Sequence, residues 1–191
     1  DYTCWHVISY NNDGTVERKQ THQGKNDDSS WARGQAWAVY GYTACYRETN
    51  DSTFLNFAIK VADMIMERVK TDDAIPYWDY DAPVTEETPR DASAASVTAS
   101  ALIELSTMVP DGKKYLDYAE KILKSLSSDA YLAKVGDNQG FILMHSVGSL
   151  PNGSEIDTPL NYADYYYLEA LKRFMELKKL RIEHGELRMI Q

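Results

Sequence analysis

Two stretches of this chain, FLNFAIKV from Phe54 and YLDYAEKI from Tyr115, set aromatic, Leu, aromatic and Ala in the same order at an offset of 61 positions. A fixed period of this size marks stacked structural units, each burying its apolar face on its neighbours. Within and around both stretches, apolar residues recur at three- and four-residue steps, the period of amphipathic helices. The pattern predicts helices over 30–49, 53–70, 92–108, 112–127 and 159–178. The first two and the next two pair as hairpins. One further step of the period reaches the helix from 159, which opens a third hairpin and runs into the polar tail KKLRIEHGELRMIQ.

An open stack needs capping repeats with polar outer faces, and the amino end offers none. A closed ring of hairpins needs about twice this length by the same repeat arithmetic. Residues 1–191 therefore read as a single all-α domain that forms part of a larger α/α assembly. Start signals accompany the helices: Ser29 or Ser30, Asp51 or Ser52, Asp91 and Asp111 are candidate N-caps, and Thr158 precedes Pro159. The turns ETNDST and PDGK are tight, whereas 71–91 and 128–157 are long and irregular. With segment 1–30, these long connections fall at one end of the stack, where binding groups are usually carried.

Composition fits one globular domain, with 43% hydrophobic and 26% charged residues among 191. The 29 acidic residues exceed the 20 basic ones, for a net charge of −9 with no basic block. Nucleic-acid binding is therefore not expected, because phosphate recognition needs a clustered positive face. No apolar run approaches the roughly 18 residues of a spanning helix, and no signal peptide is recognised, so a soluble chain without a membrane partner is expected. The first residue is Asp rather than Met, as in a mature terminus or a piece of something longer. Cys4 and Cys45 fit one disulfide or two thiols equally, which leaves a periplasmic and a cytoplasmic location of bacterial type both open.

THQGKNDDSSWARGQAW, Thr21 to Trp37, collects polar groups where a helix begins. Arg33 and Trp37 lie one turn apart on a single face. An Arg can grip a carboxylate with two parallel bonds, and a Trp face is a platform for a sugar ring. The structural alternative is an Arg paired with Asp27 or Asp28 beside a core Trp. His6, His22 and Gln23 bring groups suited to proton transfer or to sugar hydroxyls, although isolated loop histidines are more often structural. No pair of His with a nearby carboxylate has ligand spacing on one helix, so no metal and no cofactor are expected. In PYWDYDAP, Asp79 and Asp81 could act as acid and base, but Asp residues satisfying loop N–H groups are the favoured reading. HSVGSLPNGSE, from His145, is explained mainly by turn chemistry, and Tyr165 to Tyr167 by packing.

Taken together, THQGKNDDSSWARGQAWAVYGYTACYRET, PYWDYDAP, PRDASAASVTASALIELS and FILMHSVGSLPNGSEIDTPLNYADYYYLEALKRF resemble the unsaturated glucuronyl hydrolases of glycoside hydrolase family 88, over about residues 3–174. The resemblance implies helical hairpins forming about half of an (α/α)6 toroid, its carboxy-terminal half. It implies an enzyme that removes the terminal Δ4,5-unsaturated uronic acid from lyase-generated oligosaccharides. There an Asp protonates C4 of the vinyl ether and directs water to C5, and the hemiketal opens to release the next sugar. By resemblance, His6, Gln23, Arg33 and Trp37 belong to the pocket for the unsaturated uronate, and Ser146 and Ser149 to the late loop facing the neighbouring sugar. The absence of Lys between Lys134 and Lys172 argues against a sulfate preference. The family's two essential Asp residues precede the His matched by His6, so the proton donor is expected outside this chain, and the chain alone is expected to be inactive. Half a ring also exposes apolar flanks, which favours a homodimer. The rival readings are a non-catalytic carbohydrate-binding or scaffold module and an unsaturated rhamnogalacturonyl hydrolase.

Overall fold

A computed structural model of the chain describes residues 1–183; the tail expected to be polar lies outside the described residues from 184 onward. Two short strands come first, β1 (Val7–Tyr10) and β2 (Val16–Gln20), followed by α1 (Ala32–Thr49), α2 (Ser52–Arg68), α3 (Ala92–Ser106), α4 (Gly112–Leu126) and α5 (Asn161–Glu183). All five helices expected from the repeat are present, with ends displaced by a few residues. Segment 1–30, expected to be irregular, instead contains the antiparallel β1–β2 hairpin, with Val7 opposite Gln20 and a bulge at Ser9 and Tyr10. Part of the signal was available in the Asn-Asp-Gly turn, where Gly14 supplies a φ of 84°.

The caps follow the residues only in part. Asp51 accepts from Thr53 N and Asp91 accepts from Ser93 N and Ala94 N, as expected of N-caps. At α1 the cap position falls on Trp31, which makes no side-chain cap; just before it the Ser29 hydroxyl donates to Asp79 and the Ser30 N–H donates to Asp81. Asp111 likewise makes no capping bond, and α5 begins at Asn161, two residues beyond Pro159.

α3 is the axis of the packing. It touches α1, α4 and α5, and every residue from Ala92 to Ile103 is buried. A helix apolar or small on all sides belongs inside, and its Ala and Ser side chains let three neighbours approach closely. Leu102, Leu105, Ile65, Tyr115 and Ile122 fill the space between α3 and the outer helices α2 and α4. The 61-residue repeat is visible as packing. Tyr115 and Leu116 of α4 are buried whereas the matching Phe54 and Leu55 of α2 are half-buried, Tyr118 is half-buried where Phe57 is exposed, and Ala58 and Ala119 are buried in both. The aromatic and Leu positions of the motif are more covered in α4, which packs on α3 and touches α5, than in α2, which packs mainly on α1. The tight turns after α1 and α3 lie at one end, so segment 1–31, the 69–91 connection and the 127–160 connection gather at the other.

Leu102 has no exposed surface, so Leu102→Ala should cost about 2–5 kcal/mol in urea unfolding, the range for a cavity at a buried Leu. Val84→Ala, at a side chain 68% exposed, should leave the midpoint within experimental error.

Candidate functional site

Arg33, in the first turn of α1, is 2% exposed and spends both terminal nitrogens on the protein itself. Nη1 bonds Asp91 Oδ2 at 3.1 Å and Ser93 Oγ at 3.2 Å, and also donates to the Val147 carbonyl; Nη2 donates to the Gly148 carbonyl at 2.7 Å. Asp91 is fully enclosed, and its other oxygen caps α3 and accepts from Val147 N at 3.5 Å. The ion pair thus joins α1, α3 and the 145–158 loop. The expected alternative partners, Asp27 and Asp28, do not reach Arg33: Asp27 accepts from Thr21 N, and Asp28 N donates to Asn26.

Around this centre the nominated residues converge. Gln23 Nε2 donates to the same Gly148 carbonyl at 2.8 Å, across 125 residues of sequence. The Arg33 guanidinium carbon lies 4.6 Å from the Trp31 ring centroid and 5.3 Å from that of Tyr162. Trp37 stands 6.5 Å from Tyr162 and 5.1 Å from Tyr166, centroid to centroid, and the His6 ring is 4.5 Å from Trp31. The result is one wall of rings, His6, Trp31, Tyr162, Trp37 and Tyr166, with the guanidinium behind it. His6, Gln23, Trp37 and Tyr162 are half-buried and so present part of their surface, whereas Ser149 is 9% exposed and Arg33 and Ser146 are enclosed. Ser149 Oγ accepts from Asn152 Nδ2, which also donates to the His22 carbonyl and so ties the late loop to the early one. Ser146 pairs through its backbone with Thr158, and its buried hydroxyl has no hydrogen-bond partner.

Local bonding explains how the early loop is held. Thr21 Oγ1 accepts from Gly24 N and bonds His6 Nδ1 at 3.0 Å, while His22 N donates to His6 Nδ1 at 3.3 Å. With Nδ1 accepting, the proton of the neutral ring sits on Nε2, which becomes its donor. Burial lowers the His6 pKa first, and the neighbouring His22 and the Arg33 charge lower it further. Burial raises the Tyr162 hydroxyl, which therefore stays a donor. Gly24 is closely surrounded, since a Cβ would sit 2.9 Å from Thr21 Oγ1 and 3.2 Å from Asp79 Oδ2 and would force these side chains to shift.

Asp79, 1% exposed, accepts from Lys25 N, Ser29 Oγ and Asp81 N, and Asp81 accepts from Ser30 N. Both carboxylates therefore build the loop, as favoured from the sequence. Sequence reasoning missed Asp91 as the partner of Arg33, and it also missed Gln35. The Gln35 amide, 1% exposed, accepts from Cys4 N at 2.8 Å and donates to Cys4 O at 3.0 Å, holding the segment that carries His6 against α1. Among the described residues, no group of three or more His, Cys, Asp or Glu is placed to hold a metal.

No family profile matches the chain. The chain is 49% identical over 179 residues to an unsaturated glucuronyl hydrolase of Formosa agariphila, which covers 93% of this chain and 44% of that protein. Its structure matches a crystal structure of an unsaturated glucuronyl hydrolase specific for heparin at 58% identity and a TM-score of 0.91, over 94% of this chain and 49% of the other. It also matches the unsaturated glucuronyl hydrolase of Bacillus sp. GL1, described as responsible for the degradation of glycosaminoglycan, at 29% identity and a TM-score of 0.84, over 97% and 48%. The chain thus spans about half the length of the relatives it matches, and its helices correspond to about half of an α/α toroid.

Removing the guanidinium in Arg33→Ala leaves Asp91 charged and enclosed, which should cost about 3–5 kcal/mol in chemical denaturation. His6 titrates near 6.5 when unfolded and lower when folded, so the unfolded chain binds the proton more readily between those two values. Stability should therefore fall as pH drops through that window. NMR titration should place the His6 midpoint below the ordinary histidine value, and His6→Gln should remove this part of the pH slope.

Proposed function

Because this chain belongs to the unsaturated glucuronyl hydrolases, spanning about half their length, we propose that it is part of an enzyme that removes a terminal Δ4,5-unsaturated uronic acid from lyase-generated oligosaccharides by hydrating the double bond. The supporting observation is the convergence of His6, Gln23, Arg33 and Trp37 from separate segments onto one wall at the long-loop end. The unsaturated ring lies against Trp37, with Tyr162 and Tyr166 behind it, since a sugar's C–H face packs well on an aromatic surface. His6 Nε2–H, the second N–H of the Gln23 amide and the Tyr162 hydroxyl are the donors available to its carboxylate and hydroxyls.

Arg33 works from beneath. Its terminal nitrogens hold Asp91 and the carbonyls of Val147 and Gly148, so it positions the bond acceptor of Gln23 and does not form a fork on the substrate. Ser149 fixes the late loop facing the neighbouring sugar, and the enclosed Ser146 supports the same loop. Asp79 and Asp81 are engaged by the early loop, which supports a proton donor supplied by residues outside this chain. Fixed orientation plus one such donor is a sufficient catalytic set for hydration of a vinyl ether. The heparin specificity of a relative with 58% identity favours a glycosaminoglycan-derived substrate.

The chain should occur as a homodimer or in larger associations, through flanks such as the α5 stripe of Tyr165, Leu168 and Met175, all more than half exposed. A monodisperse monomer in sedimentation would contradict this.

Calorimetry with an unsaturated glucuronyl disaccharide should show binding to the chain, weakened about tenfold, or ~1.4 kcal/mol, by Trp37→Ala or by Gln23→Ala. Absorbance of the double bond should persist with the chain alone. Turnover by the chain alone would place the proton donor within these 191 residues and refute the division of labour. Binding indifferent to both substitutions would refute the wall.

A further inference from the structure

Away from the aromatic wall, a surface cleft of about 480 Å³ opens where α2 ends and the 69–91 connection begins. Arg68, Lys70 and Arg90 bring three cations to its lining, against the single carboxylate of Asp72, and Tyr77 and Tyr80 add two rings. Asp81 and Asp73 stand beside Arg68 and Arg90, so the cleft gathers donors of both arginines around Lys70, the cation that has no ion pair among the described residues, in a chain of net charge −9. The guanidinium carbon of Arg90 lies 4.5 Å from the Tyr77 ring centroid, and that of Arg68 lies 5.9 Å from Tyr80. Stacking of this kind holds the planar forks in place before any ligand arrives.

Both arginines are paired, but with carboxylates in contact with water. Arg68 bonds Asp81 at 2.7 Å, with side chains 33% and 41% exposed, and Arg90 bonds Asp73 at 3.0 Å, with side chains 28% and 31% exposed. Solvated pairs of this type contribute little, so an arriving anion recruits the guanidinium donors at small cost. The carboxylates also have other partners to keep. Burial works to raise Asp73 and Asp81, but the bonds from Tyr131 and Ile75 N on one, and from Ser30 N and Arg68 on the other, hold both below their ordinary values. Behind the cleft, a small void shares Val69, Pro76 and Tyr80 with it, and the buried Tyr118 hydroxyl that lines this void has no hydrogen-bond partner.

We propose that this cleft is a second carbohydrate site, taking acidic sugar rings whose carboxylate or sulfate groups pair with Arg68, Lys70 and Arg90 while Tyr77 and Tyr80 support the ring edges. It is separate from the aromatic wall and does not depend on the hydrolase reading. The two share only the Tyr77–Asp81 segment, which holds the early loop through Asp79 and Asp81 and borders the cleft through its tyrosines. The cleft also lies between α2 and the void lined by α3 and α4 residues, so it is built from the chain's own neighbouring hairpins.

The test is calorimetry of the full chain with a chondroitin 6-sulfate tetrasaccharide whose non-reducing end is saturated, beside neutral cellotetraose. The acidic probe should bind, with affinity falling as salt rises, and the neutral one should not. Lys70 is exposed and forms no ion pair among the described residues, so Lys70→Glu leaves the fold intact; it should weaken binding by roughly tenfold, and Arg68→Gln with Arg90→Gln should weaken it further. Trp37→Ala should leave this affinity unchanged. Absence of binding, equal binding of cellotetraose, or a loss in Trp37→Ala with none in Lys70→Glu would each overturn the proposal, and the last would move the ligand to the aromatic wall.

Discussion

Enclosing a full positive charge and a full negative charge at the head of two helices is costly unless every remaining donor and acceptor is met. Arg33 and Asp91 offset that cost with backbone groups of a third segment, the carbonyls of Val147 and Gly148 and the amide of Val147. The arrangement of the long-loop end follows from this. Asp91 starts α3, Arg33 starts α1, and the late loop must present two consecutive carbonyls to them. Gly148 is constrained from the other side as well, since a Cβ there would come within 2.1 Å of the Glu155 carboxylate. An interaction of this kind contributes uniqueness of arrangement more than net stability, because an apolar replacement of equal shape would avoid the desolvation penalty.

α1, α3 and α5 carry a polar seam away from the ion pair. Glu169 of α5 lies 3.3 Å from the Tyr40 hydroxyl and also accepts from Ser100, while Arg173 bonds Glu104 at 3.0 Å and the Ser100 carbonyl at 2.9 Å. Arg47 completes the far end by meeting Glu104 at 2.6 Å. α1, α3 and α5 are therefore matched to one another by charge along one side, while α3 meets α4 through Leu, Ile and Tyr. Register between the three inner helices is thus fixed by specific pairs, and the outer helices are added by apolar area, which tolerates more variation.

The helices were legible because their periodicity is long and their repeat is internal to the chain. The 61-residue offset reports packing directly, since its two Ala positions, Ala58 and Ala119, are both fully buried. Helix starts were less legible, because Ser29 and Ser30 have the composition of caps and are taken instead by Asp79 and Asp81, fifty residues away in sequence. Arg33 was singled out by its place in the first turn of α1, and its partner was sought at Asp27 and Asp28. Local spacing favours those neighbours, and nothing in a linear reading shows that Asp91 arrives in the same place. The β hairpin was signalled by its Asn-Asp-Gly turn alone, since Val16 is followed by four polar residues, and was outweighed by the helical period elsewhere. Gln35 carried no signal at all, since a single amide on a helix has many uses.

That amide has a mechanical meaning. By meeting both the N–H and the carbonyl of Cys4, Gln35 imitates one rung of a sheet and clamps the backbone two residues before His6, while Thr21 grips the imidazole itself. The imidazole is therefore gripped both just upstream and at the ring. A pull on the polypeptide upstream of Cys4 is borne by the buried α1 side chain and not passed on to the ring. The clamp works as a strain relief on a cable does, anchoring the backbone at Cys4 to a buried α1 side chain two residues before the imidazole.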